Sequence, residues 1–396
     1  MMFLTSIKYK TLSLLVFFLI FSKEIKAQVA LSENAQISML TCSKGDDLYN
    51  TFGHTAIHIQ DLDNNLNIVF NYGMFSFGGS SFKDQLDFGV KFVRGKLEYW
   101  LGVEDYNDFV SSYRRQDRWV YEQVLNLDQT EKQYLFDALV LNFAPENRAY
   151  KYDFFFDNCS SRVRDIIVDA IGPVFGDENS SIHEPTHQSY IDLINPYIEG
   201  KPWLDIGMDM MLGLPSSRKA SKYEFMFLPY HLKEQVSLAE GLVLSEEYLV
   251  DFPTRANEEK KFQLFTPIKF FSFLFILIAA LSYRNYKAEK HWFWIDRILI
   301  FVSGFLGSLF LFMWLGTDLL PAHANLNMFW AFPLNLIAFL FVKNKKWQLY
   351  FKFVAGLCAF ILLAWFLSPQ QYHLAIIPLA GIYILRYLKL INFVNK

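Results

Sequence analysis

The sequence predicts an exported α+β domain followed by an all-α block of five membrane-spanning helices. Three features lead to this reading. A secretion-type leader opens the chain, charged residues crowd into the stretch before Lys261, and long apolar runs fill the C-terminal third. The chain is 53% hydrophobic with 41 Phe, and that load is segregated in a way a soluble fold of uniform composition does not need. A net charge of -3, with no basic stripe interleaved with aromatics, excludes nucleic acid as a partner.

Taken in order, residues 1–27 carry Lys8 and Lys10, then the apolar run Leu12 to Phe21, then Ala27 before Gln28. That is the order of a signal peptide. Ile25 is large for its place three residues before the cut, which leaves an uncleaved first membrane helix open. Either form exports the domain expected over residues 28–263. There Thr55 to Gln60 is apolar and β-branched, Asp61 to Asn65 is a turn cluster, and Leu66 to Tyr72 is a second strand of the same hairpin. Thr130 to Asn142 has helical spacing. Ser160 to Ile171 places Val163, Ile166, Ile167, Ala170 and Ile171 on one face, and Gly172-Pro173 closes it.

The block expected over residues 264–396 contains apolar runs at about 264–283, 295–315, 324–342, 352–368 and 373–390, each near bilayer length. Basic residues fix its orientation, because they accumulate on the cytoplasmic side. Arg284, Lys287 and Lys290 follow the first run, and Lys343, Lys345, Lys346 and Lys352 follow the third. The second and fourth loops have no Lys or Arg, while the tail carries Arg386, Lys389 and Lys396. This alternation puts residues 28–263 outside the inner membrane and the C-terminus in the cytoplasm.

Chemistry concentrates at Asp157-Asn158-Cys159-Ser160-Ser161-Arg162, where a cysteine stands at the mouth of the amphipathic helix with Asp157 or Asn158 as its cap. A helix N-terminus favours the thiolate and can draw a thiol pKa of about 8.5 into the range of roughly 3.5 to 7.5. Arg162 and Arg164 would add to this, and the first-turn amides offer an oxyanion donor. His54, at the start of the first hairpin strand, is the candidate base. Two bland readings stay open for Cys159: inert packing, or a disulfide with Cys42 in an oxidising compartment. His58, on the same strand face as His54, reads as a surface residue. His183, His187 and His231 lack tight metal-ligand spacing, so a zinc site is a weak reading, and chemistry by a thiol and an imidazole requires no metal or organic cofactor. Asp318, His323, Asn325, Asn327 and Trp330 form a polar cluster at the outer edge of the second and third runs. It is either a functional site at membrane depth or a loop cap with Trp330 as an interfacial anchor.

The ordered set Leu40-Thr41-Cys42, Gly53-His54-Thr55-Ala56-Ile57, Val69-Phe70-Asn71-Tyr72-Gly73, Arg94-Gly95-Lys96-Leu97, Pro145-Glu146-Asn147-Arg148 and Asp157-Asn158-Cys159 resembles the Lnb family of the Bacteroidota type. Gly207-Met208-Asp209, Leu228-Pro229 and the His323 to Pro333 stretch extend the likeness over nearly the whole mature chain. The resemblance implies a permuted papain-like domain of the NlpC type, as in lecithin:retinol acyltransferase, in which the base histidine precedes the nucleophilic cysteine. It implies lipoprotein N-acyltransfer, with a phospholipid donor, a diacylated lipoprotein acceptor and membrane lipids as partners. Carried over residue by residue, Cys159 takes the nucleophile position and His54 that of the base. Asn71 is the candidate for orienting the imidazole, provided the hairpin register turns it inward. Arg94, His323, Asn325 and Asn327 are candidates for holding substrate. His58 stands where the family often has Arg. The alternatives are a membrane-tethered hydrolase of peptidoglycan peptides and a non-enzymatic lipoprotein-handling protein with Cys42 bridged to Cys159.

Overall fold

The computed structural model describes residues 29–76, 81, 83–84, 87, 90–91, 94–252, 264–288 and 291–395. The signal expected over residues 1–27 lies outside them, as does the junction at 253–263. Alternating apolar residues build the first sheet. Its strands are β1 (Gln36–Cys42), β2 (His54–Asp61), β3 (Leu66–Met74), β4 (Glu98–Asp105), β5 (Val120–Leu125), β6 (Ala149–Lys151) and β9 (Val243–Val250). They run antiparallel in the order β6-β4-β3-β2-β1-β5-β9. A second ribbon joins β7 (Pro185–Ser189) and β8 (Lys219–Ser221).

The two-residue period sorts the strands' side chains between two cores. Ile37, Met39, Ile57, Ile59, Phe70, Tyr72 and Leu101 face helices α2 (Gln129–Phe143), α3 (Cys159–Ile171) and α6 (Pro229–Leu238), and meet Leu135, Leu139, Val163, Ile167, Leu232 and Val236. Leu40, Cys42, Ala56 and Val69 take the other side, against Phe109 and Tyr113 of α1 (Tyr106–Arg115). Each fully buried aliphatic side chain contributes about 1.5 to 3 kcal/mol, so this sandwiching fixes strand register. The expected hairpin is present, with His58 opposite Val69 across a turn whose Asn65 adopts φ 52°. The expected helices extend one residue beyond the predicted limits at their starts, and α3 ends at Gly172, with φ 82°.

Among the described residues four helices are long and apolar enough to cross a membrane: α7 (Pro267–Lys287), α8 (Phe293–Gly316), the span Lys345–Leu363 that contains α9 (Gln348–Leu363), and Ile376–Phe393 within α10 (Ile376–Asn395). The third run, expected as one helix over 324–342, is instead a series of short turns at Leu326–Phe329, Asn335–Ala338 and Phe339–Phe341. Ala324 has φ 50°, and Pro333 removes an amide from the middle. The broken segment presses on α8 where Gly304 and Gly307 leave no Cβ: one built there would stand 2.0 Å from the Leu336 amide nitrogen and 1.8 Å from the Ala331 carbonyl. The Asn335 side chain ties the broken segment to its neighbours, donating to the hydroxyls of Ser303 (2.7 Å) and Tyr387 (2.9 Å) and accepting from that of Tyr350 (2.5 Å). Trp330, expected at an interface, is 1% exposed and donates to Asn327 Oδ1 at 2.9 Å.

Candidate active site

The site grows from the start of α3. Asn158 caps the helix, accepting from the amides of Ser160 (2.8 Å) and Ser161 (3.0 Å), and the Ser161 hydroxyl accepts from the Asn158 amide at 2.8 Å. The Asn158 side-chain Nδ2 donates to the carbonyls of Phe154 (2.8 Å) and Phe227 (2.9 Å), which ties the cap to the neighbouring chain. This cap aims Cys159 across β2. α3 packs on β2 and β3, and the hydroxyls of Thr55 and Ser160 bond at 2.8 Å.

The half-buried thiol of Cys159 faces the half-buried imidazole of His54. Burial opposes ionisation of the sulfur, but the charge of His54 and its hydrogen bond outweigh it, helped by the Thr55 amide and the Ser160 hydroxyl. The thiol is therefore held below its ordinary range. On His54 burial likewise works against the charge, and the Cys159 thiolate, its hydrogen bond and Asn71 outweigh it, so the imidazole is held above its ordinary range. Each group thus favours the charged form of the other, drawing the pair toward thiolate and imidazolium. The His54 ring nitrogen Nε2 bonds to Asn71 Oδ1, and the Asn71 amide donates to Glu104 Oε1 at 2.8 Å. His54, Asn71 and Glu104 thus come from the consecutive neighbours β2, β3 and β4. A cavity of about 300 Å³ opens beside Asn71 and Glu104, walled by Trp100, Phe143 and Arg148.

The structure places Cys159, His54 and Asn71 together, with Glu104, Thr55 and Ser160 beside them. No spacing rule reaches Glu104, which lies 33 positions from Asn71 and joins it through strand pairing alone. Other expectations are corrected. The charges of Arg162 and Arg164 are engaged by carboxylates: the Arg162 guanidinium forks onto Asp157 at 2.6 and 2.8 Å, and Arg164 pairs with Asp165. The amides of Ser160 and Ser161, expected as oxyanion donors, are taken by the cap. His58 is 3% exposed, bonded to Glu122 (3.0 Å) and Asn67 (2.8 Å), and stacked on Tyr106, so it is a core residue. Cys42, Cys159 and Cys358 are all free, and burial pushes the Cys42 thiol up to about 12. Among the described residues no cluster of three His, Cys, Asp or Glu side chains is placed to hold a metal ion.

The polar cluster at the membrane edge is a joint between the two blocks. Asn325 and Asn327 are 1% and 0% exposed. Asn325 donates to the Met210 carbonyl at 2.7 Å, and Asn327 to Asp209 at 3.2 Å, both at the end of α5 (Pro202–Met211). Gln370 donates to Leu212 and to Asn325, and the Gly213 amide donates to Pro321 at 2.8 Å. His323 is half-buried, with Nε2 3.2 Å from the Thr317 carbonyl. Exposed Arg94 belongs to a loop seated on the same edge: the Asp318 amide donates to its carbonyl at 3.2 Å, and Lys151 pairs with Asp318 at 3.1 Å.

No match is found among curated proteins or solved structures. The family model of the Lnb N-terminal periplasmic domain matches residues 21–190, and that of the Lnb transmembrane domain matches residues 257–396. A free thiol paired with a histidine in the first of these regions, and long apolar helices in the second, agree with that division. The chain belongs to the Lnb family, as an inner-membrane protein with a periplasmic N-terminal domain.

Proposed function

We propose that this protein is a lipoprotein N-acyltransferase, carrying an acyl chain from a phospholipid through a Cys159 thioester to the α-amine of a diacylglyceryl-cysteine lipoprotein. The observation that carries the reading is the Cys159–His54–Asn71 arrangement on a domain fastened to its own membrane block. The thiolate sulfur bonds to the ester carbonyl carbon. The tetrahedral adduct collapses, the glycerol oxygen leaves with the proton held on His54, and an S-acyl enzyme remains with a lysophospholipid. His54, now neutral, takes a proton from the attacking α-amine. The amide forms as the C–S bond breaks and the thiolate returns. Thioesters suit this path because they form from oxygen esters and stay reactive toward amines.

Both substrates are membrane-held, and a site fixed at the bilayer edge makes their encounter local. Arg94 is proposed to hold the lipid phosphate and His323 to line the substrate path, with Asn325 and Asn327 serving it by seating α5. The C-terminus is proposed to lie in the cytoplasm, from the basic loops. The free state of Cys42 and Cys159 gives no support to the bridged, non-enzymatic alternative.

The test supplies a diacylated lipoprotein to the full-length protein in phospholipid micelles and weighs both. The wild type should add one acyl chain to the lipoprotein, and an acyl adduct should be trapped on the enzyme. Cys159→Ala should show neither. Transfer at an unchanged rate by that variant, or released peptidoglycan peptides in place of acylated lipoprotein, would sink the reading.

A further inference from the structure

Acyl transfer through a thioester needs a donor for the oxygen that becomes negative when sulfur adds to a carbonyl. The first turn of α3 supplies less than its position promises. The Ser160 and Ser161 amides are both held by the Asn158 side chain, and the Arg162 amide by the Asn158 carbonyl. Of the first-turn amides, that of Cys159 is left.

A second donor stands opposite. The hydroxyl oxygen of Tyr150, on β6, is buried without a hydrogen-bond partner among the described residues. An orphaned buried hydroxyl costs about 1 to 3 kcal/mol and calls for an explanation in what it faces. Gly73 shows what that is. With φ +87°, it leaves a gap in which an added Cβ would stand 3.8 Å from Cys159 Cβ and 3.8 Å from Tyr150 Oη, with no other heavy atom within 4 Å apart from those of its own chain neighbours. A hydroxyl and a thiol-bearing carbon therefore border one vacant slot. The ring is held rather than free: the Arg162 guanidinium lies 3.7 Å over its centroid, itself forked onto Asp157, and Tyr72 and Tyr99 flank it. Burial keeps the phenol well above its ordinary pKa, so it remains a proton donor at neutral pH.

We infer that Tyr150 is a catalytic residue whose hydroxyl, together with the Cys159 amide, hydrogen-bonds the oxyanion of the tetrahedral adduct in the slot beside Gly73. The inference rests on the acyl-transfer reading of Cys159. As sulfur bonds to the carbonyl carbon, the C=O π pair moves to oxygen, and the two donors receive it. When the C=O re-forms, the leaving oxygen takes its proton from His54, and Tyr150 keeps its own throughout.

Two probes separate this role from a structural one. Acylation of Cys159 by p-nitrophenyl butyrate passes through an oxyanion, whereas alkylation by iodoacetamide displaces iodide and forms none. In the full-length protein, Tyr150→Phe should lower the acylation rate about 100-fold and leave the Cys159 alkylation rate within about twofold. Equal losses in both, or no loss of acylation, would overturn the assignment. So would a wild-type thiol that is alkylated but never acylated by the ester. The lipoprotein reading fails separately, when wild-type enzyme acylates on Cys159 yet passes nothing to the lipoprotein amine.

Discussion

At the scale of single residues, reactivity is decided by what surrounds each sulfur. Cys42 and Cys159 lie in the same domain, yet burial prevails over the Arg118 charge and the Tyr113 hydrogen bond at the first, while at the second burial is outweighed by the His54 charge and hydrogen bond. The sign follows from the directions of the shifts. The Cys159 pKa falls below its ordinary 9.0, so its thiolate persists to lower pH than that of an ordinary thiol. The His54 pKa rises above its ordinary 6.5, so the imidazolium survives as pH climbs past that value. The ion pair, and with it activity, should appear as pH rises through the depressed thiol value and fade as pH rises through the elevated imidazole value. At pH 7, iodoacetamide should label Cys159 and spare Cys42, as read by peptide mass spectrometry. His54→Ala should slow that labelling about tenfold, a fraction of the several pKa units that such a partner can supply. Labelling of Cys42 at a matching rate would contradict this account.

Among the elements, α3 carries the most consequence because its cap is also the mount of the nucleophile. Asn158 is 3% exposed and uses both ends of its amide. Asn158→Ala should cost about 2 kcal/mol, the upper part of the range for an N-cap, since the carbonyls of Phe227, buried, and Phe154, part-buried, lose a donor as well. A thermal melt of the full-length protein should show the loss, and an unchanged midpoint would refute it. This helix was legible in the sequence, as were the hairpin and four long apolar helices, because local period and capping residues determine them. The third apolar run was not. Composition makes it look like its neighbours, while Pro333, Asn335 and the glycines of α8 permit a broken path that shows only when the two segments meet. The same limit hid Glu104 and Tyr150: each reaches the site through strand neighbours distant in sequence. It likewise misplaced His58, whose partners Glu122 and Asn67 come from β5 and the far side of the hairpin.

Across the whole molecule, the membrane-edge joint sets where the thiol stands relative to the lipid. Asn325→Ala removes a buried donor from the Met210 carbonyl and should cost about 1 to 3 kcal/mol locally. Hydrogen exchange should quicken along α5 and acyl transfer should fall, while iodoacetamide labelling of Cys159 stays as in the wild type. Labelling that falls in step with transfer would place the effect in the site instead of the joint. The makeup of this joint has one further consequence. Among the described residues two ion pairs bridge the same halves, Lys151 with Asp318 and His373 with Asp205, and the first is open enough to water to weaken as ionic strength climbs. The carboxamides of Asn325, Asn327 and Gln370 neither titrate nor attract counterions. In a compartment whose salt and acidity follow the outside medium, these carboxamides keep a part of the domain's seat on its anchor that responds to neither.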